Sequence, residues 1–175
     1  MDHSAAALFQ ALVAELGDEI VMNPDLTSRY ATDFTGDYQG LPLAVVRPAT
    51  VEQVARVVRW CNANKVPLVP HGGNTGLVGA ATPSGQRREI VLSMERLNRI
   101  RSIDTLNGIA VVEAGCVLSD LKQAVEVAGG YFPLSIGSEG SCQIGGNIAT
   151  NAGGVNVVRY GMARARVAGI EVVLA

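Results

Sequence analysis

Leu8, Leu12 and Leu16 recur at helical spacing and predict a helix over residues 5–16, with Gly17 as its stop. Asn23 and Pro24 suit an N-cap and a first helical position, which predicts a short helix over Asp25–Tyr30. The segment Thr32–Leu41, carrying Gly36 and Gly40, reads as a loop before an apolar strand, Leu43–Arg47, halted by Pro48. The clearest amphipathic pattern begins at Thr50. Thr50 and Gln53 form a capping box, and Val51, Val54, Ala55, Val58 and Cys61 keep one face apolar. Val66–Val69 and Ile90–Leu92 are apolar runs of strand length. Strand, helix, strand, loop, strand predicts a small parallel α/β unit.

After Asn98 the pattern changes, and a subdomain boundary is expected near residue 98, dividing the chain into 1–98 and 99–175. Arg99–Ile103 and Ile109–Glu113 predict antiparallel strands joined through Thr105-Leu106-Asn107-Gly108. Leu118, Leu121, Val125 and Ala128 mark an amphipathic helix ended by Gly129-Gly130, and a further short helix is expected within Ile144–Asn151. Val167–Ala175 is apolar apart from Glu171 and predicts a strand. A chain ending on so hydrophobic a strand would leave an open edge, so truncation of a longer protein is the expectation.

Composition narrows the function classes. With 48% hydrophobic residues the chain can bury a substantial core, and a net charge of −2 gives no footprint for nucleic acid. No apolar run is long enough to span a bilayer, and the first residues lack the basic region of a secretory signal. A cytoplasmic protein is the resulting expectation. Cys61, Cys116 and Cys142 are widely spaced and odd in number, which argues against disulfides and zinc.

Candidate chemistry lies in two glycine clusters. The first, His71-Gly72-Gly73-Asn74-Thr75-Gly76, follows an apolar strand, and no Lys or Arg occurs between Val66 and Ser84. Backbone N–H groups freed by glycine can curl into a nest for phosphate oxygens, with Asn74 and Thr75 as added donors. The second runs from Tyr131 to Tyr160 and has Glu139 and Arg159 as its only charges. Ser138, Ser141 and Thr150 offer hydroxyls, Asn147 and Asn151 amides, and Gly145-Gly146 opens a helix whose N-terminal N–H groups could face a pyrophosphate. Small residues at 145, 146, 149, 152, 153 and 154 leave room for a flat ring. The two clusters read as clamps on one nucleotide-like cofactor. A Walker loop is excluded by the missing Gly-Lys-Ser/Thr, and a Rossmann fingerprint by spacing and by the helix-breaking run Ala80–Gly85.

The stretches PHGGNTGLVGAATP, VVEAGCVLSDL and PLSIGSEGSCQIGGNIATNAGGVNVVRYG, in that order, resemble the vanillyl-alcohol-oxidase-type (PCMH) FAD-binding domain. Within it they are most similar to the D-2-hydroxyacid dehydrogenase group, and the resemblance covers nearly all of Leu43–Ala175. It implies an α+β fold: a small parallel α/β subdomain followed by an incomplete second one with a mainly antiparallel sheet. It implies that Pro70, His71, Gly72, Gly73, Asn74, Thr75 and Gly76 wrap the FAD pyrophosphate, with Leu77 a further cofactor contact. Pro133, Gly137, Ser138, Ser141, Cys142, Gly145, Gly146, Asn147, Ala149, Thr150, Asn151, Gly153 and Gly154 would contact pyrophosphate, ribityl chain and isoalloxazine. Val172, in the Gly169–Val173 segment, would pass the adenine end.

The implied reaction is hydride transfer from a D-2-hydroxy acid to flavin N5, giving the 2-oxo acid. The substrate would be a small molecule of the D-2-hydroxyglutarate, D-lactate or glycolate class, with the electron acceptor left open. In the resembled family the base histidine, substrate arginines and metal site lie in a C-terminal half beyond this chain. No catalytic residue and no metal ligand is therefore expected here, and the chain alone is expected to be inactive. His71 is read as a loop side chain near the cofactor. Tethered relatives carry a histidine where this sequence has Asn74, so the FAD is expected to be noncovalent and can be absent from the chain alone. Two alternatives remain: an FAD-linked oxidase of the same fold acting on another alcohol, and a non-catalytic piece that folds, and dimerises, without cofactor.

Overall fold

The computed structural model describes residues 3–18, 20, 21, 28–85 and 88–175. Its described residues fall into two compact units, one formed up to Arg96 together with Val172–Ala175, the other by Leu97–Glu171.

In the first unit, helix α1 (His3–Leu16) buries Leu12 and Leu16 and ends where Gly17 turns at φ +88°. The Arg56 guanidinium donates to the Glu15 carbonyl and ties α1 to helix α2 (Val51–Asn64). Thr50 caps α2: its hydroxyl accepts the Gln53 N–H at 3.2 Å, while the Gln53 side chain takes the Ala49 N–H at 2.6 Å. Lys65 closes it in the left-handed region at φ 54°. The buried face of α2 is Val54, Val57, Trp60 and Cys61, a rotation from the predicted one, with Val51, Ala55 and Val58 half-buried at its flank. Trp60 carries the largest apolar area and turns the helix toward itself. Burial drives the Cys61 thiol up to about 11.

Strands β1 (Ala44–Val46), β2 (Leu68–His71) and β3 (Ile90–Ser93) form a parallel sheet in the order β1-β3-β2, with Val45 and Val69 both opposite Val91. Central β3 is buried along its whole length. Strand β2 lies two residues beyond its predicted Val66–Val69 bounds. Its pairing explains why: the carbonyls of Pro67 and His71 accept the N–H groups of Ile90 and Met94. Pro70 falls between these positions, where an edge strand needs no donor. The predicted helix over Asp25–Tyr30 lies mostly outside the described residues, of which Ser28–Tyr30 form a 3-10 turn.

The second unit opens with an antiparallel hairpin, β4 (Ile100–Asp104) and β5 (Ile109–Val112), in which Asp104 faces Ile109. Asp104 Oδ1 accepts the N–H groups of Leu106 and Asn107, and Gly108 at φ +66° completes the turn. Buried Glu113 is clasped by Arg99, through its backbone N–H and guanidinium, and by Arg101; the Arg99 hydrogen bonds hold its carboxyl below the usual carboxylate range. Helix α3 (Leu118–Val127) contributes Leu118, Leu121 and Val125 to a core shared with Cys116, Leu134, Cys142, Ile144 and Ala163. The short helices α4 (Ile144–Ala149) and α5 (Val157–Tyr160) follow.

The predicted strand over Val167–Ala175 is not formed: Ala163–Arg166 make a 3-10 turn and the residues after it join no ladder among those described. β-propensity alone does not make a strand without a partner for its backbone groups. Among the described residues, no helix is long and apolar enough to cross a membrane.

Candidate functional site

The first glycine cluster leaves the edge strand β2 at His71. That histidine is buried, its Nδ1 lies 2.9 Å from the Ala81 carbonyl, and its ring meets Tyr30 edge-on at 5.0 Å. Burial pulls its pKa down, which keeps the imidazole neutral with the Nδ1 proton donated to Ala81. His71 thus forms the floor of the loop, pinning its start to its return segment. Tyr30 is held by Arg29 and Glu95, with Arg29 to Glu95 at 2.6 Å.

Above that floor the chain does not close on itself. From Gly72 to Gly76 no backbone N–H finds an acceptor among the described residues. Gly72, Gly73, Asn74 and Thr75 are half-buried, while Pro70, Gly76 and Leu77 are exposed. Asn74 sits in the left-handed region at φ 53° and its Nδ2 donates to the Thr32 carbonyl at 2.9 Å. A Cβ placed on Gly76 would meet nothing within 4 Å, so the chain's own packing does not require glycine there. A run of free N–H groups with an open approach is a place for an anion's oxygens.

The second cluster is built differently. Cys142 is part of the core: its N–H bonds to the Ser138 carbonyl, its own carbonyl accepts from Leu118, and its thiol takes the Asn147 amide at 3.5 Å. Desolvation raises that thiol's pKa. With these groups engaged inside the unit, any part Cys142 plays toward a ligand is through packing and not through a free thiol. The expectation that α4 points free N–H groups outward needs correction. The N–H of Ile144 goes to the Cys116 carbonyl and that of Gly145 to Ala114 at 2.7 Å, leaving the Gly146 N–H without an acceptor among the described residues. The antiparallel bridge between Val117 and Gln143 draws the start of α4 against this segment, which takes its first two donors.

Around that closed centre, open positions remain. A Cβ on Gly137, Gly140 or Gly146 would meet nothing within 4 Å. Gly137, Ser141, Gly146, Ala149 and Thr150 are exposed, and Pro133, Ser138, Gly145, Asn151, Gly153 and Gly154 are half-buried. Thr150 Oγ1 donates to the Gly146 carbonyl at 2.8 Å, and Asn151, at φ 51°, accepts the Arg164 N–H at 2.9 Å. Asn147 and Gln143 are buried and each keeps a carbonyl oxygen without a partner. Gln143, one helical turn before Asn147, was not anticipated; its spacing from Asn147 was the available signal. Val172 is exposed in the terminal segment. Tyr160 packs on Tyr131 at 5.9 Å, with the Arg159 and Arg166 guanidiniums over its ring.

The free donors of the first cluster fit a phosphate-bearing ligand bound mainly through backbone, and the open glycines of the second leave room for a ligand of their own. Known proteins bear on the same point. Residues 42–175 match the family described as FAD binding domain. The chain is similar to the probable mitochondrial D-2-hydroxyglutarate dehydrogenase of Oryza sativa subsp. indica, at 40% identity over 95% of this chain and 29% of the relative. It is also similar to the D-2-hydroxyglutarate dehydrogenase of Stutzerimonas stutzeri, at 44% identity over 89% of this chain and 33% of the relative. The chain therefore spans about a third of the length of these relatives. Among solved structures, an alkyldihydroxyacetonephosphate synthase matches 90% of this chain and 34% of its own, with a TM-score of 0.77 at 22% identity, which speaks for the fold. The matched span takes in both glycine clusters and the parallel sheet, and the chain belongs to the PCMH-type FAD-binding domain family.

Proposed function

We propose that this chain is the N-terminal FAD-binding part of a flavoprotein dehydrogenase that oxidises a D-2-hydroxy acid, with D-2-hydroxyglutarate as first substrate. The carrying observation is the run of acceptor-free N–H groups at Gly72–Gly76, reached past a glycine that the chain's own packing leaves open. The substrate class rests on similarity to the rice and Stutzerimonas relatives, both named for that acid.

In this reading Gly72, Gly73, Asn74, Thr75 and Gly76 hold pyrophosphate oxygens by backbone donation, with neutral His71 fixing the loop beneath them. Gly137, Ser138, Ser141, Gly146, Ala149, Thr150, Gly153 and Gly154 offer an uncharged, small-residue surface to the rest of the cofactor, within subdomains divided near residue 98. The bound FAD would supply a hydride acceptor at N5. With its ring buried and bonded to Ala81, His71 orients the loop and takes no proton from substrate. Asn74, whose amide is a poor nucleophile, leaves the flavin untethered. The base and the acid-binding cations belong to the rest of the protein, so this chain alone turns nothing over. A homodimer is part of the same reading. The three free thiols support a reducing compartment; the cytoplasm remains our assignment, beside a rice relative whose name specifies mitochondria.

The test is the full-length protein's visible spectrum, followed by acid precipitation and a dye-reduction assay with D-2-hydroxyglutarate, D-lactate and glycolate. The expected result is FAD in the supernatant and turnover of D-2-hydroxyglutarate. A colourless protein that takes up no FAD would overturn the reading, and colour held in the pellet would overturn the noncovalent assignment.

A further inference from the structure

The loop that offers free N–H groups makes no backbone hydrogen bond of its own among the described residues. A chain with no internal backbone hydrogen bonds from Gly72 to Gly76 would sample many conformations, and preorganisation must come from outside it. Unit 1 supplies a support from the hairpin over residues 31–40. That hairpin is closed by the Thr32–Gln39 bridge and by N–H bonds from Asp33 to the Tyr38 carbonyl and from Gly40 to the Ala31 carbonyl. Asp33 stiffens its tip, accepting from the Thr35 hydroxyl at 2.6 Å and the Tyr38 N–H at 3.0 Å.

Two contacts pass from this hairpin to the glycine loop and its return. The Thr32 carbonyl takes the Asn74 side chain at 2.9 Å. The Tyr38 ring lies on Gly79, where an added Cβ would come within 2.5 Å of a ring carbon. Behind them Gly40 abuts the Pro83 carbonyl so closely that a Cβ there would stand 2.0 Å away. The left-handed backbone at Asn74 is thus paired with a side chain that hydrogen-bonds away from the nest. An asparagine satisfies both demands, because it tolerates that backbone and carries a donor.

We propose that Asn74 is a positioning residue: its amide, braced on the Thr32 carbonyl of the 31–40 hairpin, presets the curl of Gly72–Gly76 that receives the cofactor's phosphates, with Tyr38 on Gly79 as a second strut. The inference rests on the FAD reading above. It differs from a direct contact, since Asn74 acts through a backbone carbonyl on another segment. It also separates two properties of one residue, the left-handed backbone and the brace.

Asn74→Gly keeps the backbone and removes the brace, and Asn74→Asp keeps the backbone preference but cannot donate to Thr32. The measurement is FAD affinity of the full-length apoprotein, by quenching of flavin fluorescence, beside its Tm without cofactor. Both variants are expected to bind FAD roughly tenfold more weakly, the worth of one hydrogen bond, with apoprotein Tm within a few degrees of wild type. Tyr38→Ala should weaken binding less. Wild-type affinity in Asn74→Gly, or in Asn74→Asp should the glycine variant fail to fold, overturns the brace while leaving the FAD reading intact. Failure of the wild-type protein to bind FAD overturns both.

Discussion

The two glycine clusters look alike in composition and differ in what glycine does in them. In the first, the backbone donors from Gly72 to Gly76 are unused and the support comes from side chains: the buried ring of His71 below, the Asn74 amide to the side. In the second, the chain fills part of its own donors. Ala114 and Cys116 take the first N–H groups of α4, and Ser138 accepts from both Ser141 and Cys142. Two of its glycines are dictated by close approach, Gly154 against the Ser135 carbonyl and Gly145 against Ala114, whereas Gly137, Gly140 and Gly146 face open space. A glycine-rich motif can therefore mix two causes, packing against self and clearance for something else. Building a Cβ at each position separates them.

Substitutions can test that separation. The largest effect is expected from Gly154→Ala, whose methyl carbon would stand 2.1 Å from the Ser135 backbone oxygen. Neither atom sits at the end of a flexible side chain, so the second unit should lose about 3 kcal/mol in chemical denaturation, at the upper end for overpacking. Gly145→Ala, 2.8 Å from the Ala114 methyl, should cost about 1–2 kcal/mol, because α4 can shift slightly. Gly146→Ala, beside them in sequence, should leave stability within about 0.5 kcal/mol, since alanine is the better helix former and meets nothing. Its FAD affinity should fall by at least about tenfold if clearance is what the glycine provides. A stable Gly154→Ala, or a Gly146→Ala that unfolds, would erase the distinction.

The smallest expected effect concerns the floor of the first cluster. His71 has its pKa lowered by burial, so the folded protein holds fewer protons than the unfolded chain below the ordinary histidine value. Stability should be indifferent to this group above about pH 6.5 and should decline as pH falls below it. Nitrogen NMR of the imidazole should find its neutral form protonated on Nδ1 and its titration below the ordinary histidine value. A free titration near 6.5 would remove His71 from the floor.

Much of the architecture was legible because it is local. The Thr50–Gln53 cap, the apolar spacing of α3 and the turn before Ile109 are written within a few residues of where they act. The parallel sheet followed from the rhythm of its elements. The failures are long-range. The face of α2 was misjudged because Val57 and Trp60 are chosen by what they pack against. The bounds of β2 depended on which carbonyls β3 reaches, and the strand at Val167–Ala175 on a partner that periodicity cannot supply. In the candidate site, glycine density marked stretches that leave backbone positions open. The carbonyls of Ala114 and Cys116 that occupy α4, and that of Thr32 that holds Asn74, are backbone groups with no signature in the sequence.

The strand order β1-β3-β2 also sets a schedule for synthesis. β1 and β2 leave the ribosome first, yet neither pairs with the other; the ladder bonds of both are made to β3, the last of the three in sequence. Until Ser93 has emerged, the nascent chain carries two strand segments whose shared partner does not yet exist, and the first glycine loop hangs from one of them. The sheet cannot be assembled strand by strand from the N-terminus. Its completion waits for its central member, the kind of non-local pairing that slows folding and leaves edges exposed meanwhile.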